Sequence, residues 1–199
     1  MEHKVLEYRL STGLLGRKRT LRLAPDYLEY ENREPGQFTK ISKSDIIDVK
    51  NEMSWILWYR FYVGCSFSID IKTKENGIIK VKFTSYFGQN RTYIETYASI
   101  VDLMWQHYLN DIVNSYLQKF FTTYDIELRG VRLTGEGVYL SANDKAIVWR
   151  EVALKEYEDY FAIYSQPDPL INKRILFNQW ESDILFSLLQ SLTQSNPGS

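Results

Sequence analysis

The residues best suited to chemistry in this sequence are four closely spaced cations: Arg17, Lys18, Arg19 and Arg22. A guanidinium grips phosphate or carboxylate through two parallel hydrogen bonds, and an ammonium adds a point charge. The cluster is therefore a candidate site for an anionic ligand, such as a lipid headgroup or a phosphorylated peptide. On an extended chain, alternation places Arg17 and Arg19 on one face and Lys18 on the other. The same charges would also suit a solvated edge strand that uses repulsion to resist aggregation.

The glycines before the cluster, Gly13 and Gly16, invite comparison with a phosphate-cradling loop. The Gly-Lys-Ser/Thr ending is missing, and the segment runs into a strand pattern where such a loop opens a helix. Nucleotide hydrolysis is not expected. A second cluster is aromatic: Trp55, Trp58, Tyr59, Phe61, Tyr62 and Phe67 fall within residues 53–67. Such a set serves as a partner hot spot, as a membrane-interface anchor, or as core. Core packing is the expectation for most of it. Trp55 and Trp58 precede the regular alternation, so they are the two expected at the surface and the candidate partner-binding residues.

Catalysis finds little support. Of the two histidines, His3 lies at the terminus and His107 falls off the main apolar face of a helical pattern, where solvent would surround it. A nucleophile needs a base within hydrogen-bond reach, and none is apparent near Cys65, which reads as a buried thiol. One cysteine and two distant histidines cannot make a zinc set. Glu156, Glu158 and Asp159 are close, but Lys155 and Tyr157 interleave them in what reads as a solvated turn. The expectation is a protein that is not an enzyme and that needs no cofactor or metal.

These residues need elements to hold them. Apolar alternation predicts strands over 5–10, 20–23, 27–31, 38–41 and 46–49. Phe67, Ile69 and Ile71 alternate with polar residues, as do Ile79, Val81 and Phe83. The Asn76-Gly77 dipeptide between the runs is a strong hairpin signal. From Thr92 the period changes to three and four residues through Tyr93, Tyr97, Ile100, Met104 and Tyr108, which predicts an amphipathic helix. The pattern continues to 121, as one long helix or as two meeting near Asn110 and Asp111. Strands return over 126–128, 131–133, 138–140, 146–148, 152–154, 160–164 and 174–177. Ser182 then caps a helix that buries Ile184, Leu185, Leu188, Leu189 and Leu192. The tail 194–199 is expected to be disordered.

The 199 residues carry 44% hydrophobic and 15% aromatic side chains, 15 of them tyrosine, which favours β structure around a real core. The net charge of −1 points away from nucleic acid. Residues 1–110 carry 16 Lys+Arg against 13 Asp+Glu, and residues 111–199 carry 8 against 12, so the first half is the better candidate for an anionic partner. The opening Met1-Glu2-His3-Lys4 lacks the apolar core of a signal peptide, and the single cysteine forms no internal disulfide. The expectation is a cytoplasmic protein, with peripheral membrane contact as an alternative.

The halves also resemble each other. The run Leu21-Arg22-Leu23-Ala24-Pro25-Asp26 aligns with Val131-Arg132-Leu133-Thr134-Gly135-Glu136, and each half continues through strands to a helix. A run of strands, a basic loop between the first two, and one terminal helix resembles the pleckstrin-homology-like (PH-like) superfold. Residues 13–21 resemble that family's glycine-bearing loop and basic strand, Leu28-Glu29-Tyr30 its third strand, and Trp105 the tryptophan that pins its helix over the barrel end. The second half lacks the basic loop, and its tryptophan, Trp180, precedes the helix. The resemblance implies an α+β, mainly β fold of two PH-like units, 1–110 and 111–199, each a bent antiparallel sheet or barrel closed by a C-terminal helix. Their boundary falls in the helical stretch 92–121. It also implies a binding module, with a protein partner foremost and anionic lipid at Arg17, Lys18, Arg19 and Arg22 as the alternative.

Overall fold

The computed structural model describes residues 5–13, 16–75, 77–86, 90–141 and 145–195. His3, Leu14, Leu15, Asn76 and the segment 196–199 lie outside these residues. The chain divides into two compact units, Met1–Asn110 and Asp111–Ser199.

The first unit opens with β1 (Leu6–Ser11), β2 (Lys18–Leu23), β3 (Tyr27–Glu31) and β4 (Phe38–Ser42), an antiparallel sheet in sequence order. A 3-10 turn, Lys43–Asp45, ends this meander. The chain restarts as β5 (Ile46–Trp58), β6 (Phe61–Thr73) and β7 (Ile78–Tyr86), a second antiparallel sheet. The unit thus holds two sheets where one bent sheet was expected, and neither closes into a barrel. Alternation explains the inner faces. Leu21, Leu23 and Leu28 of the first sheet are buried, as are Phe67, Ile69, Ile71, Val81 and Phe83 of the second. Phe67 and Phe83 are cross-strand partners with stacked rings 4.8 Å apart.

Helical residues cover this core. Helix α1 (Asn90–Met104) leads into a π turn, Trp105–Leu109, and then α2 (Asn110–Thr123). The expected choice between one helix and two gives way to helical chain interrupted by a widened turn. Ile100, Met104, Tyr108 and Leu109 are buried. Trp105, expected to pin the helix, is only half-buried, and Tyr108 makes the polar anchor. Its hydroxyl lies 2.7 Å from the Ala24 carbonyl oxygen and 2.8 Å from that of Tyr27. Burial pushes this phenol well above the ordinary tyrosine range.

The second unit repeats the order. Strands β8 (Asp125–Leu128), β9 (Val131–Thr134), β10 (Gly137–Tyr139) and β11 (Ile147–Val148) form a four-stranded antiparallel sheet. A 3-10 turn, Trp149–Glu151, precedes β12 (Val152–Glu156), β13 (Tyr160–Ser165) and β14 (Asn172–Leu176). Helix α3 (Ser182–Ser195) buries Ile184, Leu185, Leu188, Leu189 and Leu192. It runs past Gln194, into the tail expected to lack structure. The Ser182 hydroxyl donates back to the carbonyls of Phe177 and Gln179. The class is α+β, dominated by strands. No helix among the described residues is long and apolar enough to cross a membrane.

Candidate functional site

The aromatic cluster lies on the hairpin of β5 and β6, which is longer than the strand beside it. The last pair between β6 and β7 joins Gly64 and Tyr86, whereas β5 and β6 stay paired out to Trp58 and Phe61. Beyond Gly64 the hairpin is a two-stranded ribbon among the described residues. Gly64 permits the close approach of the two strands there, since a Cβ would sit 2.1 Å from the Ser85 carbonyl oxygen.

Register sets the two faces of the ribbon. Leu57 pairs with Tyr62, and Trp58 with Phe61, after a register shift between Ile56 and Leu57. Trp55 lies 5.5 Å from the Tyr62 ring, which places Trp55, Leu57 and Tyr62 on one face and Trp58 and Phe61 on the other. Relative exposure is 49% at Trp55, 58% at Leu57, 65% at Trp58, 71% at Phe61 and 65% at Tyr62. The core expectation fails for Tyr59, Phe61 and Tyr62, which are exposed; among the described residues no third strand pairs with the hairpin past Gly64. It holds for Phe67, which β7 and α1 cover: the Tyr97 ring lies 5.1 Å from it. The turn residue Tyr59 has φ 57, a left-handed conformation costing a non-glycine residue about 1 kcal/mol.

The four cations of the basic cluster are not equivalent. Arg17 precedes β2 and so falls outside the expected alternation. It donates to Glu31 at 2.6 Å and to the carbonyls of Asn32 and Arg33. Glu31 also accepts the backbone N–H groups of Gly36 and Thr20 at 3.0 and 2.9 Å. The Gly36 amide first, then Arg17 and the Thr20 amide, pull its carboxyl down to about 2. Arg22 binds Glu7 at 3.0 Å and Glu29 at 3.3 Å, and lies over the Phe38 ring. Arg19 lies over Tyr30, and Lys18 is exposed. Two of the four positive charges are thus matched by carboxylates of the same sheet.

His107 is half-buried where solvent was expected. Burial and, secondarily, Lys43 lower its pKa. Cys65 is buried and its thiol is raised by burial. Among the described residues, no three His, Cys, Asp or Glu side chains gather as a metal set would require.

A further group lies in the second unit, where only a solvated turn was expected. Tyr157, Tyr160, Tyr164, Lys155 and Arg174 line a cleft of about 290 Å³ on the outer face of the sheet β12–β13–β14. The Tyr157 and Tyr160 rings stack at 4.5 Å. A larger cleft in the same unit, about 440 Å³, is lined by Tyr124, Asp125, Arg132 and Tyr139. Its Arg132 is clamped by both carboxylate oxygens of Asp125, at 2.7 and 2.5 Å.

No protein-family model matches this chain, and no curated protein sequence matches it.

Proposed function

We propose that this chain is a non-catalytic binding protein of two PH-like units, and that its first unit docks onto a protein partner through the ribbon at Trp55, Leu57, Trp58, Phe61 and Tyr62. The PH-like reading draws support from the repeated order of four strands, 3-10 turn, three strands and helix. The carrying observation is the gathering of five large apolar side chains, all well exposed, on one hairpin. Tryptophan and tyrosine dominate binding hot spots because each removes a large rigid surface from water at small entropic cost. Burying one such side chain contributes about 1.5–3 kcal/mol. The ribbon is a better docking candidate than the basic loop, where Arg17 and Arg22 already have carboxylate partners.

A photo-crosslinking residue at Arg60, exposed at the ribbon turn, tests the reading in cells. The expected result is one discrete protein adduct that disappears when Trp55 and Trp58 are replaced by Ser. An adduct pattern indifferent to those changes overturns it. A second reading rests on the two apolar faces: a bilayer interface would surround both, whereas a flat protein surface covers one. Co-sedimentation with neutral and anionic vesicles at two salt concentrations decides between them. Salt-insensitive pelleting that needs Trp55 and Trp58 favours insertion.

A further inference from the structure

The two three-stranded sheets carry the same charge arrangement with one difference. In the first unit, register places Lys50 of β5, Asp70 of β6 and Lys80 of β7 side by side. The Asp70 carboxylate lies 3.9 Å from the Lys50 ammonium and 3.8 Å from that of Lys80. In the second unit the corresponding row reads Lys155 of β12, Ala162 of β13 and Arg174 of β14. The flanking cations are present, and a methyl group stands where the carboxylate would be.

The neighbouring rows shape the gap. Tyr164 lies between Ala153 and Asn172 on one side, and Tyr160 pairs with Leu176 on the other. The small Ala162 side chain makes the floor, and the tyrosines make the walls of the cleft. The Lys155 ammonium lies 5.1 Å from the Tyr157 ring and the Arg174 guanidinium 5.6 Å from that of Tyr160. Among the described residues neither cation forms an ion pair. Cation–π contact on an exposed ring is weak, about 0.5–1 kcal/mol, and leaves the N–H donors of both groups available.

We propose that this face of the second unit is an oxyanion site, and that its ligand is a phosphate monoester seated over Ala162 between Lys155 and Arg174. Two unneutralised cations match a dianion, where one carboxylate suffices between the lysines of the first unit. Arg174 would grip two phosphate oxygens in parallel and Lys155 a third. The tyrosines would receive the ester group. The site is independent of the ribbon.

The test is a titration of the full-length protein followed by amide NMR at constant ionic strength, using inorganic phosphate, glycerol phosphate and phenyl phosphate. Saturable shifts of the Ala162, Tyr160 and Arg174 amides are expected, with a dissociation constant of roughly 1–10 mM for the bare ion. Tighter binding of phenyl phosphate than of glycerol phosphate would assign the ester group to the tyrosine walls. Equal affinity for the three anions would overturn the monoester assignment, because the tyrosine walls would then contribute nothing to recognition. Ala162→Asp, which copies the carboxylate of the first unit, should weaken binding at least about tenfold. Arg174→Gln changes an exposed side chain and should weaken it severalfold with the fold unaltered. The proposal is overturned if the native protein shows no saturable shift at these amides. It is equally overturned if the Ala162→Asp and Arg174→Gln proteins bind as the native one does.

Discussion

The sheets β5–β6–β7 and β12–β13–β14 occupy the same place in the order of their units and put their surfaces to different use. The first sets Asp70 between two lysines on its outer face and extends past its third strand as an apolar ribbon. The second keeps its strands short and leaves Lys155 and Arg174 flanking Ala162. Each sheet keeps its inner face apolar: Phe67, Ile69 and Ile71 are buried in one, Phe161 and Ile163 in the other. The core face is fixed by the need to bury area, and the outer face is where the two units differ.

The sharpest way to break this comparison is to set the core and ribbon parts of one hairpin against each other. Phe67→Ala should destabilise the first unit by about 3–5 kcal/mol in denaturant titration, because it removes a stacked ring from a closed core. A loss below 1 kcal/mol would deny that the two ends of the hairpin differ.

Acidification separates the units next. Asp183, in the first turn of α3, is raised to about 6, first by burial and then by Glu156; these outweigh the helix dipole. A raised carboxyl contributes stability that is complete below its unfolded pKa and lost as pH rises through the folded value. The second unit should therefore gain about 2–3 kcal/mol as pH falls from 7 to 4. Asp183→Asn should flatten that response in pH-dependent unfolding. Glu31 behaves oppositely. Its depressed pKa gives stability above the unfolded value near 4.5 that is lost as pH falls towards about 2. The first unit should fail at strong acid, and Glu31→Gln should remove that part of the transition.

Asp70→Ala gives the first sheet the row found in the second. Its stability should fall by about 1 kcal/mol, and phosphate should then recover part of the loss, read as a rise in Tm at fixed ionic strength. No recovery would mean that the flanking cations alone do not make an anion site. The smallest effect belongs to the ribbon. Trp58→Ser should change stability by no more than about 0.5 kcal/mol while abolishing the crosslink at Arg60. A larger change would mean that the ribbon is part of the fold.

Much of this architecture was legible because strands and helices write their period into the chain. The alternation at Phe67, Ile69 and Ile71 marked an inner face, and the three- and four-residue spacing through Ile100, Met104 and Tyr108 marked a helix. The surface exposure of Trp55 and Trp58 followed from their place before the alternation. The exposure of Phe61 and Tyr62 did not, because it depends on where β7 stops. Arg17 and Arg22 looked like free cations because their partners, Glu31, Glu7 and Glu29, lie on other strands.

The sequence by itself determined the order of strands and helical stretches and most of their buried faces, which follow from local periodicity and the transfer of apolar groups out of water. Tertiary structure alone decided which charges meet. Register across three strands places Asp70 between two lysines and Ala162 between a lysine and an arginine; Asp70 meets Lys50 and Lys80 only because their strands lie side by side. Coulomb energy depends on distance in space, so a cation's availability is settled only once the sheet is built.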